Sequence, residues 1–286
     1  MVVLEVGQVP ETHDEWSEQF AELDLKDVFG AIGTGVNLRR HPEISYTMAR
    51  DPLAESTRDW WAGDHLLHVD ATRLDTQPVL TAIGCRRAEP GAPPTHLVDS
   101  VKLLNMTLED GFWNRYGLND NDLLDMKSVF VDSTYFREAQ PFLKTFMSPE
   151  EQERLEATHT TDKKRWKADD LEGMLDNMDD KHPPKEFDLI RKTPLSKVDS
   201  LFIDGGGRNS QILGPDGEDL THVLHSLRWE YLTGDRPHQL GLLKSIGWTA
   251  NKAVIFPQTG TLHKAGAGND YNRVLHLAFL TDQNPA

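Results

Sequence analysis

The sequence predicts a mainly β protein, a β-sandwich or jelly roll with helices on its periphery. Strand signals stand near both ends of the chain, helical stretches lie outside them, and no alternating strand–helix rhythm marks a doubly wound sheet. Those strand signals are β-branched and apolar runs bounded by proline, glycine or charge: Ile44 to Met48, Val79 to Ile83, Leu201 to Ile203, Ala253 to Phe256 and Arg273 to Leu280. With 286 residues and 38% hydrophobic content, the chain can bury a full core as one domain spanning 1–286.

The first element expected is a helix over 11–29, because Trp16, Phe20, Leu23 and Leu25 recur at roughly helical spacing and Gly30 follows as a stop. The stretch around His68 falls between the first two strands. Region 148–192 differs in character. Ser148-Pro149-Glu150-Glu151 supplies an N-cap, a proline at the first helical position and an acid three residues after the cap. A second stripe of Leu171, Leu175 and Met178 follows in a heavily charged background, so 148–192 reads as a helical insertion or lid. Next come the glycine turn at 205–207 and a helix from about Asp219 to Leu232 that turns Leu220, Val223, Leu224 and Leu227 inward. The last two strands are separated by a loop holding Gly260, His263, Gly266 and Gly268.

Composition narrows the function. Forty-six acidic against 30 basic residues give a net charge of −16, which repels phosphate backbones and disfavours nucleic acid. The single cysteine, Cys85, excludes an internal disulfide framework and a cysteine-ligated metal cluster, and points to a reducing, cytoplasmic setting. The N-terminal residues show no secretory pattern, and no apolar run reaches the roughly 18 residues of a membrane span.

His68-Val69-Asp70 sets an imidazole and a carboxylate on one side of an extended segment, since side chains two apart on a strand point the same way. A third ligand from a distant strand would complete the facial two-histidine, one-carboxylate set of non-haem iron oxygenases. Two of its three open positions chelate 2-oxoglutarate, and the third takes O2. A second His-x-acid string, His41-Pro42-Glu43, reads instead as a turn entering a strand. Near the C-terminus, His263 and Arg273 stand ten residues apart. A cofactor with two carboxylates needs its far end neutralised, and a guanidinium does this through paired charge-assisted hydrogen bonds. Thr95 is the candidate hydroxyl beside it. The 205–207 turn lacks the third glycine and the context of a dinucleotide fingerprint.

The chain resembles the taurine dioxygenase and clavaminate synthase group of iron/2-oxoglutarate oxygenases. The resemblance runs through a helix ending near Phe29-Gly30, His41-Pro42-Glu43-Ile44, His68-Val69-Asp70, the Pro78 to Cys85 strand and the Gly91 to Thr95 turn with Asp99 after it. It continues through Phe202-Ile203-Asp204 and Trp248 to His263, Asp270-Tyr271, Arg273 and His276. It implies a double-stranded β-helix, cupin-like in outline, with Fe(II) on His68, Asp70 and His263 and 2-oxoglutarate on Arg273 and Thr95. Asp70 matches the hydroxylating branch rather than the halogenases, which have a small residue there. Leu277 stands where taurine-type members carry a second arginine, which disfavours a sulfonate substrate.

The implied activity is oxidation of a C–H bond of a small molecule, hydroxylation being the default outcome, with family habit pointing to secondary metabolism. Trp60, Trp61, Asn105, Asn209 and residues 37–40 are candidate substrate contacts. The competing readings are a cupin-like isomerase or hydrolase that uses its metal only as a Lewis acid, and a non-catalytic metal-binding jelly roll. A nucleic-acid demethylase ranks below both because of the charge.

Overall fold

Period-two alternation, the pattern that flags the strands, also sorts their side chains onto opposite faces of two sheets. The computed structural model describes residues 1–22, 38–49, 67–70, 72, 77–131, 183–205, 209–266 and 273–282. Its strands in chain order are β1 (Val2–Glu5), β2 (Leu38–Ala49), β3 (Leu80–Ala88), β4 (Thr95–Asp99), β5 (Lys127–Phe130), β6 (Lys185–Asp188) and β7 (Ile190–Lys192). They continue as β8 (Asp199–Leu201), β9 (Asn209–Leu213), β10 (Leu243–Ile246), β11 (Lys252–Pro257), β12 (Thr261–Ala265) and β13 (Arg273–Asp282). A five-stranded antiparallel sheet has the order β1-β11-β3-β13-β2, and a three-stranded one the order β10-β4-β12. Smaller sheets, β6-β5-β9 and β7-β8, lie beside them.

In the large sheet, Ile83, Cys85, Val254, Phe256, Leu275, Leu277 and Phe279 turn inward and meet Leu97 and Ile246 of the three-stranded sheet. Their alternate neighbours Leu80, Ala82, Ala253, Ile255, Ala278 and Leu280 turn outward, onto Trp16 and Phe20 of the His13–Ala21 helix. That helix starts with a reciprocal capping box between Thr12 and Glu15, which supplies partners for two otherwise orphaned backbone groups. Gly84 shows why the sheet accepts it. A Cβ there would lie 2.7–3.0 Å from three atoms of the Trp16 indole, so only glycine lets the ring rest on the strand.

The other face of the three-stranded sheet, Val98 and Leu262, packs against Leu103 and Leu104 of the Ser100–Glu109 helix, together with Phe202, Ile203, Leu224 and Leu227. Helix, sheet, sheet, helix is thus the layering of the jelly roll.

Several sequence expectations shift. The first helix is described over His13–Ala21, and residues 23–30 lie outside the described residues. The Ile44 to Met48 run is part of the longer β2, an edge strand. Its pairing with β13 slips between Ala278 and Leu280, and Pro42 falls in that gap, where no ladder N–H is required of it. The helix starts proposed at Ser148 and near Asp169 lie outside the described residues. Residues 185–192 are not helical; they form β6 and β7. The Asp219 to Leu232 expectation resolves into a helix Thr221–Leu227 continued by a π-helical turn Arg228–Leu232.

Candidate metal centre

The Leu67-His68-Val69-Asp70 segment alternates like a strand although it forms only one bridge. Leu67 and Val69 are buried in the core on the helix-bearing side of the small sheet, which leaves His68 and Asp70 to face the space between the sheets. His68 pairs with His263 across an antiparallel bridge in which each backbone N–H donates to the other's carbonyl at 2.9 Å. Residues in such a reciprocal pair project side chains to the same face. His263 was expected in a loop; it lies instead within β12, opposite Leu97 of β4. The glycines flanking it belong to a tight turn at Gly260, with φ 105°, and to the end of the strand at Gly266.

The three side chains converge. His263 Nε2 is 3.1 Å from Asp70 Oδ2, His68 Nε2 is 3.6 Å from Asp70 Oδ1, and the imidazole centroids are 4.4 Å apart. Asp70 and His263 are buried and His68 is partly so. One ligand atom from each lies within 4.8 Å of the others, and this is the one such histidine, cysteine or carboxylate cluster found among the described residues. Neighbouring ligand atoms on an octahedral ion with bonds of about 2.1 Å stand about 3.0 Å apart. The His263–Asp70 separation is close to that value and the His68–Asp70 separation is 3.6 Å, and two imidazoles with one carboxylate is a donor set suited to a divalent first-row metal. The residues present therefore fit such an ion.

Arg273 and Thr95 share this interior. Arg273 opens β13 on the face of Leu275, Leu277 and Phe279; it is 3% exposed, and its Nη1 donates to the Pro93 carbonyl at 2.7 Å. Thr95 opens β4 on the face of Leu97, two residues away, and is also buried. Its hydroxyl oxygen accepts a hydrogen bond from Trp248 Nε1 at 3.0 Å, leaving the hydroxyl proton available for donation. Near this pair the thiol of Cys85 is pushed up to about 11, chiefly by burial, with the Arg273 charge opposing.

No protein-family model and no curated protein sequence matches the chain. Solved structures do. A taurine dioxygenase from Burkholderia xenovorans is 16% identical with a TM-score of 0.50, over 96% of this chain and 74% of that one. The fold is that of a taurine dioxygenase. A protein assigned as an alpha-ketoglutarate dependent 2,4-D dioxygenase from the same organism is 15% identical, with a TM-score of 0.47, over 77% of this chain and 69% of that one. AAD-2, solved in complex with Mn(II) and N-oxalylglycine, is 14% identical with a TM-score of 0.47, and this chain covers 61% of it while 77% of this chain is matched.

Within this taurine dioxygenase fold, the five residues singled out from sequence all lie on interior faces. The substrate candidates do not gather in the same way. Asn105 is exposed on the Ser100–Glu109 helix, Trp60, Trp61 and Asn37 lie outside the described residues, and Asn209 and residues 38–40 belong to β9 and β2. Sequence reasoning missed Thr81 and Gln258. Thr81 Oγ1 donates to Gln258 Oε1 at 2.5 Å, and Gln258 Nε2 donates to the Asp70 carbonyl at 2.5 Å. Parity could have found Thr81, a polar residue at the inward position of the apolar run Leu80-Thr81-Ala82-Ile83.

Proposed function

We propose that this chain is an Fe(II)- and 2-oxoglutarate-dependent oxygenase that hydroxylates a C–H bond of a small molecule in secondary metabolism. The observation that carries the reading is the convergence of His68, Asp70 and His263 on the same interior faces that bear Arg273 and Thr95. In balance, substrate, 2-oxoglutarate and O2 give hydroxylated substrate, succinate and CO2. Ferrous iron, when bound, supplies the activation of O2 coupled to loss of CO2 from 2-oxoglutarate.

The chain's own residues do the rest. His68, Asp70 and His263 would hold the ion through two imidazoles and one carboxylate. The Arg273 guanidinium, already out of water, neutralises the far carboxylate of 2-oxoglutarate, and the Thr95 hydroxyl donates beside it. Its partner Trp248 fixes the hydroxyl's rotation. Phe256, whose ring centroid is 5.4 Å from that of His263, and the buried Leu277 give the interior apolar walls that exclude water from the reacting atoms. Leu277 offers no second cation, so the reading favours a substrate without a sulfonate. The lid role read from sequence for 148–192 is kept for residues 148–182 alone, since 185–188 and 190–192 are strands of the fold, and the single-domain, cytoplasmic reading is retained from sequence. No helix among the described residues is long and apolar enough to cross a membrane.

The test is succinate formation from 2-oxoglutarate under air with added Fe(II), comparing wild type with His68→Ala, Asp70→Ala and Arg273→Ala. Uncoupled turnover that vanishes in the ligand variants and falls in Arg273→Ala is expected. An absence of turnover, joined to an absence of 2-oxoglutarate binding by the anaerobic iron-loaded protein, would refute the proposal.

A further inference from the structure

The three ligands differ in how the fold holds them. His68 and His263 are locked to each other by two backbone hydrogen bonds. Asp70 lies two residues beyond that bridge, in a turn, where the ladder no longer sets the direction of the chain. A side chain from another part of the fold reaches it there. Gln258, 2% exposed, follows β11, and its Nε2 donates to the Asp70 carbonyl at 2.5 Å.

Gln258 is itself fixed at two further points. Its backbone N–H donates to the Val79 carbonyl at 3.0 Å, and its Oε1 accepts from the Thr81 hydroxyl at 2.5 Å. An amide turned end for end would set Oε1 against the Asp70 carbonyl oxygen, two acceptors in contact. The carbonyl therefore fixes which end of the amide faces it. The chain from Thr81 through Gln258 to Asp70 is buried throughout, where each hydrogen bond is costly to leave unmade.

We infer that Gln258 is a positioning residue for the metal centre, with Thr81 as its anchor, and that together they hold the Asp70 turn so that its carboxylate meets the two imidazoles. This inference rests on the reading of His68, Asp70 and His263 as metal ligands. The turn between β11 and β12 then serves both sides of the site: β12 carries His263, and Gln258 at the start of the turn holds Asp70. The 3.1 Å approach of His263 Nε2 to Asp70 Oδ2 is set across the short link, residues 258–260, by which the chain crosses from the large sheet to the small one. Ligand distances in a metal site tolerate only about 0.2 Å, and loss of such outer supports typically costs about 10- to 100-fold in metal affinity.

The experiment is anaerobic Co(II) titration, read by affinity and by the d–d absorption spectrum, with melting curves run in parallel. Gln258→Leu and Gln258→Met, neither of which can donate to the Asp70 carbonyl, are expected to lose roughly 10- to 100-fold in affinity and to change the spectrum. Thr81→Val is expected to move the same way by less, and Thr81→Ser to restore wild-type behaviour. Gly84→Ala, which strains the outer face of the same sheet, controls for general destabilisation and should keep wild-type Co(II) affinity. Should Gln258→Leu fail to fold, Gln258→Met and the Thr81 pair decide. Wild-type affinity and spectrum in the folded Gln258 variants and in Thr81→Val would overturn the inference and leave the metal centre standing. A wild type that takes up no Co(II), or a His263→Ala variant that binds as well as wild type, would overturn the metal-centre reading itself.

Discussion

Gly205→Ala tests whether the packing behind the first histidine sets the metal site. Gly205 has no positive φ, so alanine fits its backbone and the effect is steric alone. The new Cβ would lie 2.8 Å from Leu67 Cβ and 3.1 Å from the Leu67 carbonyl oxygen, with Leu232 Cδ1 at 3.6 Å behind. Ordinary contact begins near 3.4 Å, so the segments must part by at least 0.6 Å. Leu67 is 3% exposed and bonded to His68, whose backbone is tied to His263, so the displacement is passed to a ligand. That movement is about three times the roughly 0.2 Å tolerance of a metal–ligand distance. A loss of about 10- to 100-fold in Mn(II) affinity follows, read from the electron paramagnetic resonance of free Mn(II). Overpacking adds about 1–3 kcal/mol of destabilisation, seen as a lower melting temperature. A folded Gly205→Ala protein with wild-type Mn(II) affinity would show that Leu67 can yield without moving His68.

Three further outcomes are expected. Gly84→Ala drives a methyl into the Trp16 indole and should cost about 1–3 kcal/mol in urea unfolding, less when combined with Trp16→Leu; equal costs in both backgrounds would contradict the contact. His276 is buried and hydrogen-bonded through Nε2 to the Pro10 carbonyl, and burial, aided by Arg86 and His13, lowers its pKa below 6.5. Its neutral form is shared by folded and unfolded chains above pH 6.5; below that value the unfolded chain takes up a proton the native one resists. Stability should therefore decline as pH falls below 6.5, and His276→Phe should flatten that limb; an unchanged slope would count against it. Arg273→Lys replaces a planar fork by a point charge, so the KM for 2-oxoglutarate should rise by the worth of one charged hydrogen bond, about 1.5–3 kcal/mol or roughly 10- to 100-fold, while an unchanged KM would remove Arg273 from the cosubstrate site.

What the sequence made legible follows from period. Runs such as Ala253 to Phe256 and Arg273 to Leu280 are buried on both faces, one by the opposing sheet and one by a helix, so they stand out as continuous apolar stretches. Strand β4, Thr95–Asp99, mixes Thr, His and Asp with two apolar residues, and β12 sits between two glycines; neither carries a run long enough to register. That is why His263 reads as a loop residue in sequence and a strand residue in three dimensions. The pairing of His68 with Asp70 was legible because two-residue alternation is local. The Thr81–Gln258–Asp70 chain was not, because it joins residues separated by 177 and 188 positions, and no local pattern records which buried amide meets which carbonyl.

The bridge between His68 and His263 also bears on how the molecule assembles. It is a lone pair of residues joined across 195 positions of chain, and closing such a loop costs about 5 kcal/mol of entropy by the logarithmic law. Two hydrogen bonds cannot meet that cost until the sheets have already drawn the ends together, so the bridge closes late in folding. An ion held by the two histidines would act as a clasp on the finished pair of sheets. Its escape would then need only local opening of one pair of amides, which hydrogen exchange at His68 and His263 would report, with the sheets on either side still shut.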